Sequence, residues 1–171
     1  YMKNHFFFYT IGILGLTILY SSCANSEIYP PHPQVVDVYF NKDTVNAMHL
    51  NNAESFVINI DFQDGDGDIG STEAEPESNV FVTDGRNNNF YEYTVPFDLQ
   101  SPSVNKSISG TIHLSVENAC CTPITGIPCL PPPNAVYNTF DSVRYSVYIK
   151  DRSGNVSNSF TSQPLYLLCV N

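Results

Sequence analysis

The sequence predicts an all-β protein: a single immunoglobulin-like (fibronectin III/cadherin-like) β-sandwich of about seven strands, preceded by a signal peptide and a tether. Three observations carry this. Short runs rich in Val, Ile, Tyr, Phe and Thr recur between turn residues, the pattern of strands separated by turns. Two of the runs alternate strictly: Phe56, Ile58, Ile60 and Phe62 share one face, as do Val143, Tyr145, Val147 and Ile149. No segment shows a sustained helical period. Seven such runs in one small domain suit two packed antiparallel sheets.

In chain order, the first element is a leader over residues 1–22. Lys3 supplies positive charge, and the 14 residues from Phe6 to Leu19 are apolar or small and uncharged. That length suits a signal-peptide core, whereas a membrane-spanning helix needs roughly 20 residues. The run ends in Leu19-Tyr20-Ser21-Ser22-Cys23, which resembles a lipobox: small residues precede a cysteine that becomes lipidated. Tyr20 departs from the usual pattern, with Leu19 one place early. The resemblance implies an outer-membrane lipoprotein, held at the periplasmic or cell-surface face through acyl chains on Cys23, each buried CH₂ contributing about 0.8 kcal/mol. The competing reading is an uncleaved anchor helix with Cys23 as an ordinary thiol.

Residues 23–34 form a tether stiffened by Pro30, Pro31 and Pro33. The domain then covers residues 35–171, with strands expected near 35–40, 55–63, 79–83, 89–95, 107–116, 142–150 and 160–168. Removing the leader leaves 149 residues, suited to one domain, with 6 basic against 17 acidic side chains. A net charge near -11 argues against nucleic acid as a partner, because phosphate neutralisation needs clustered Lys and Arg. It favours divalent cations.

With Cys23 set aside, Cys120, Cys121, Cys129 and Cys169 remain, and an even count in an exported chain reads as two disulfides. Adjacent cysteines rarely bridge each other, so one of Cys120 and Cys121 joins Cys129 and the other joins Cys169. A zinc site is the alternative, without a Cys-x-x-Cys pair or a nearby histidine to support it. Strand alternation adds a second constraint. Loops after strands two and six fall at one end of the sandwich, and the segment after strand five meets the close of strand seven at the other. The second end therefore gathers Cys169 with Cys120 and Cys121. The proline-rich stretch 120–133 reads as a braced surface loop, or as a rigid binding platform exposing Ile124, Ile127 and Leu130.

The first end gathers Asp64-Gly65-Asp66-Gly67-Asp68-Ile69-Gly70 and Asp151-Arg152-Ser153-Gly154-Asn155. The former motif resembles surface lipoproteins of the Bacteroidota that carry an Asp-Gly-Asp-Gly-Asp-Ile-Gly signature; the latter is similar to the turn before the last strand of many bacterial immunoglobulin-like modules. The resemblance implies fold and location and carries no activity. The Asp-x-Asp-x-Asp spacing itself resembles the start of an EF-hand-type loop, where oxygens at positions 1, 3 and 5 surround a hard cation. Glycine lets the chain turn tightly enough for three carboxylates to point inward. Position 6 is Ile69 rather than Gly, and Glu75 stands at position 12 with no helix after it. Closely packed carboxylates repel, which a bound Ca²⁺ relieves. Asp61, Asp151 and Asn155 are candidates to complete the ligand set. The plain alternative is a solvated acidic turn without a tight metal.

Other constellations are weak. His32, His49 and His113 are isolated, and no nucleophile elbow, catalytic carboxylate pair or phosphate loop occurs. The sequence therefore predicts a non-catalytic, membrane-anchored binding or accessory module with a protein or glycan partner. The alternatives are a purely structural envelope lipoprotein and a small metal-dependent hydrolase. Phe90, Tyr91 and Tyr93 in one strand suit either a ring-presenting glycan surface or plain core and sheet packing.

Overall fold

The computed structural model describes residues 29–47, 52–71, 76–96 and 107–170. The leader, Cys23 and Glu75 lie outside them. The described chain is all-β: β1 (Gln34–Phe40), β2 (Thr44–Asn46), β3 (Phe56–Asp64), β4 (Val80–Asp84), β5 (Phe90–Tyr93), β6 (Ile108–Val116), β7 (Phe140–Val143), β8 (Tyr145–Ile149), β9 (Phe160–Thr161) and β10 (Leu165–Leu168).

One layer is the antiparallel sheet β1-β3-β6. The other is built from β5-β4-β8-β9 and β2-β10-β7. β7 runs into β8 across Arg144, and β9 into β10 across residues 162–164, so these two sheets follow continuous chain paths. The first strand pairs with β3, and the chain then crosses so that β2 runs parallel to β10. This is the strand order of an immunoglobulin-type sandwich.

Each layer turns an alternating apolar face inward. Ile58, Ile60, Val82, Val147, Leu165 and Leu167 are among the buried core residues contributed by the two layers. Phe40, Phe56 and Tyr145 form a ring cluster across the layers, with centroids 6.0–6.2 Å apart.

The strands differ from the sequence expectation where side chains or proline replace the ladder. The expected run 142–150 is interrupted at Arg144, where the chain passes from pairing with β10 to pairing with β4. Ser162 and Pro164 split the last run: the Ser162 hydroxyl accepts the Tyr145 N–H at 3.1 Å, and proline has no N–H to donate. β5 ends at Tyr93 because the Asn79 side chain clamps Val95, accepting its N–H and donating to its carbonyl. β2 is too short for periodicity to reveal.

The cysteines pair as Cys120–Cys129 and Cys121–Cys169, with Cα atoms 5.3 and 5.8 Å apart. This resolves which neighbour takes which partner. Among the described residues no helix is long and apolar enough to cross a membrane.

Candidate metal centre

The site begins with a carboxylate where alternation calls for a hydrophobe. Phe56, Ile58, Ile60 and Phe62 face the core from β3, and the next residue in that series is Asp64, which is 0 % exposed. The chain then turns sharply. Gly67 and Gly70 adopt φ of 72° and 103°, the left-handed region that suits glycine. Between them Ile69 is buried and anchors the turn by bridging to Asp151. The Asp68 N–H donates to Asp64 Oδ2 at 2.9 Å, which closes the loop on itself.

The second loop follows β8 and is shaped for one residue. Asp151, also buried, accepts the Asn155 N–H on Oδ1 at 2.7 Å and the Asn155 side-chain amide on Oδ2 at 2.8 Å. Gly154, at φ 87°, permits that return. The two loops are tied together: the Arg152 N–H donates to the Asp68 carbonyl at 3.2 Å, and Ser153 donates to Asp68 Oδ2 through both N–H and hydroxyl.

The result is four carboxylates, from Asp64, Asp66, Asp68 and Asp151, each offering an oxygen within 4.8 Å of the others. Asp64 Oδ1 and Asp68 Oδ1 are buried with no hydrogen-bond partner. A buried polar atom without a partner costs about 1–3 kcal/mol, and more when charged. Burial, and then the charge of Asp66, push Asp64 up to about 6. Burial and the neighbouring Asp68 raise Asp66 as well. Four formal negative charges around two orphaned oxygens form a cluster that can hold a metal ion.

One of the sequence candidates, Asp61, falls outside this cluster. Asp61 lies on the opposite face of β3 from Asp64 and accepts the Thr111 hydroxyl at 2.6 Å. Asn155 donates its backbone N–H and side-chain amide to Asp151 and so holds that carboxylate in place. Ser153 does the same for Asp68; a serine in an exposed turn gives no sequence signal of that role. The tether also reaches this end: the Gly65 N–H donates to the Pro30 carbonyl at 2.8 Å, and a Cβ at Gly65 would collide with the carbonyls of Tyr29 and Pro30.

At the other end, Ile124, Ile127 and Leu130 are exposed on the braced loop. Beside it, Arg86 donates to both oxygens of Asp84, to Asp141 Oδ2 and to the Cys120 carbonyl. Sequence spacing gives no hint of this network, since Arg86 and Asp141 are 55 residues apart. The three rings that suit either a glycan surface or plain sheet packing divide. Phe90 points outward and stacks on Phe81, which stacks in turn on Tyr148, at centroid distances of 5.8 and 4.7 Å. Rings packed face to face present edges to solvent, so this ladder reinforces the sheet. Tyr91 and Tyr93, on the other face of β5, turn toward the interior of the sandwich.

Comparison with protein-family models, with curated proteins and with solved structures finds no match to this chain.

Proposed function

We propose that this chain is an exported, membrane-anchored lipoprotein whose sandwich domain is a non-catalytic binding or accessory module, stabilised by a calcium ion at its tether-proximal end. The observation that carries the calcium assignment is Asp64: a fully buried carboxylate with an unpartnered oxygen, directed at three further carboxylates. Calcium suits this donor set because it takes six to eight oxygens in flexible geometry, and carboxylates, water and carbonyls all serve. Magnesium demands near-ideal octahedral geometry and gives up its waters reluctantly. Bound there, the ion offsets half of the cluster's formal charge and ties the end of β3 to the turn after β8.

Export is supported by the leader and by the cysteine arithmetic. Four cysteines are consumed by two disulfides, which persist in oxidising compartments, and the one remaining is Cys23 after Ser21-Ser22. Calorimetric titration with Ca²⁺ tests the site: the native chain releases or absorbs heat on saturation, and Asp66→Ala does not. Absence of heat at millimolar calcium removes the proposal. Cys23→Ala tests the anchor; it loses acylation and leaves the membrane fraction, and a variant that still sediments with membranes contradicts lipidation.

A further inference from the structure

The two layers do not close on each other at the cysteine-bearing end. A cavity of about 220 Å³ lies between them, walled by Ile58 and Val116 from one layer and by Val82, Tyr91, Tyr93 and Tyr145 from the other. Ala119 and the Cys120–Cys129 bridge close its end. Protein interiors are packed as densely as organic crystals, with few voids larger than a water. An apolar cavity of about 150 Å³ already accepts benzene. This void is larger, and it is not dry in character.

Its polar groups fall into two kinds. The charged ones are satisfied by each other. The Asp84 carboxylate takes the Arg86 N–H, Nε and Nη2, and Asp141 takes Arg86 Nη1 and the Thr122 N–H. An ionic ligand would be desolvated here with no free counter-charge to meet it. The second kind is unsatisfied. Among the described residues, none of the Tyr91, Tyr93 and Tyr145 hydroxyls has a hydrogen-bond partner, although the Tyr145 side chain is buried. The Tyr145 hydroxyl is not one of the fully enclosed orphaned atoms, so it opens onto the cavity that its ring lines. Tyr91, 39 % exposed, forms the rim through which a molecule would enter.

We infer that this inter-layer cavity is a binding site for a small uncharged molecule of one or two rings bearing hydrogen-bonding groups. The apolar walls take the ring, the tyrosine faces pack on it, and the free phenol hydroxyls meet its polar substituents. The site lies at the far end from the acidic cluster and does not depend on the cation assignment.

Indole serves as the probe, titrated into the full chain with both disulfides formed and followed by amide chemical shifts. Saturable shifts centred on Tyr91, Tyr93 and Ala119 are expected, with a Kd of about 1 mM or tighter. Tyr91→Ala, at the exposed rim, weakens binding about tenfold, as does Asn118→Trp, which places a bulky ring at an exposed position of the mouth. Val36→Ala, on the outside of β1, leaves it unchanged. Benzoate and benzylamine bind at least tenfold more weakly than indole. The inference is overturned by linear, unsaturating shifts, or by shifts that map to the acidic loops or to Ile124. It is equally overturned by Asn118→Trp binding as the native chain does, or by equal affinity for benzoate.

Discussion

Replacing Asp64 by Asn is expected to change stability in opposite directions with and without calcium. Without the ion, Asp64 is a buried acid whose proton is held up to about 6, against 3.8 for the free side chain. The folded state then binds the proton more tightly than the unfolded state, so stability falls as pH rises from about 4 to about 6 and is flat above. The accumulated penalty at pH 7 is about 3 kcal/mol. Asn carries no charge and keeps an oxygen to accept the Asp68 N–H, so in chelator at pH 7 Asp64→Asn should be the more stable protein. Calcium reverses the order. At a concentration one hundred times its Kd the ion stabilises the native chain by about 2.7 kcal/mol, a rise in melting temperature of about 8 °C for a domain of this size. The variant, missing one of four carboxylates, gains little. Thermal melts from pH 4 to pH 8, in EDTA and in calcium, measure both effects. The reasoning fails if Asp64→Asn is destabilised in EDTA at pH 7, or if the melting temperature of the native chain ignores calcium.

Converting Cys121 and Cys169 to Ser opens a loop spanning 48 residues and should cost about 4 kcal/mol, against about 2.7 for Cys120 and Cys129, which span 9; guanidinium unfolding gives both values. Arg86→Met leaves the buried Asp84 carboxylate without its counter-ion and should cost about 3–5 kcal/mol, largely restored when Asp84→Asn is added; a double-mutant cycle reads the difference. Hydrogen exchange in EDTA should deprotect the amides of residues 65–71 and 151–157 while those of β7 and β10 stay protected, because on the proposed reading only the first end depends on a cation. Equal deprotection at both ends would contradict this division.

Much of the architecture was legible because it rests on alternation, which a single sequence displays. The β3 and β8 runs announce their core faces directly, and successive reversal of strands then brings the Asp64 and Asp151 loops to one end and Cys121 and Cys169 to the other. What escaped was decided by contacts distant in sequence. β2 has three residues and exists because β10 offers a parallel edge to it. The break at Arg144 depends on the change of partner from β10 to β4, and the end of β5 on the Asn79 amide. Asp61 stands three residues before Asp64, yet the period of two that places Asp64 inward places Asp61 outward. The inter-layer cavity was invisible for a different reason: Tyr91, Tyr93 and Tyr145 read as ordinary core rings until the layers are seen to stand apart around them.

The two ends of the sandwich are held by different chemistry, and this bears on how the domain behaves. At the cysteine end the restraint is covalent and present whatever the ionic conditions, so the braced loop and the adjoining cavity keep their shape. At the acidic end four carboxylates crowd together in a cluster that can hold a cation, and the tether docks on that same loop through Gly65 and Pro30. The turn at Gly65 leaves no room for a side chain, so loosening the acidic loop also loosens the point where the tether meets the domain. On the proposed reading, calcium therefore governs how rigidly the domain is held relative to its lipid anchor, and it does so without altering the end that faces away from the tether.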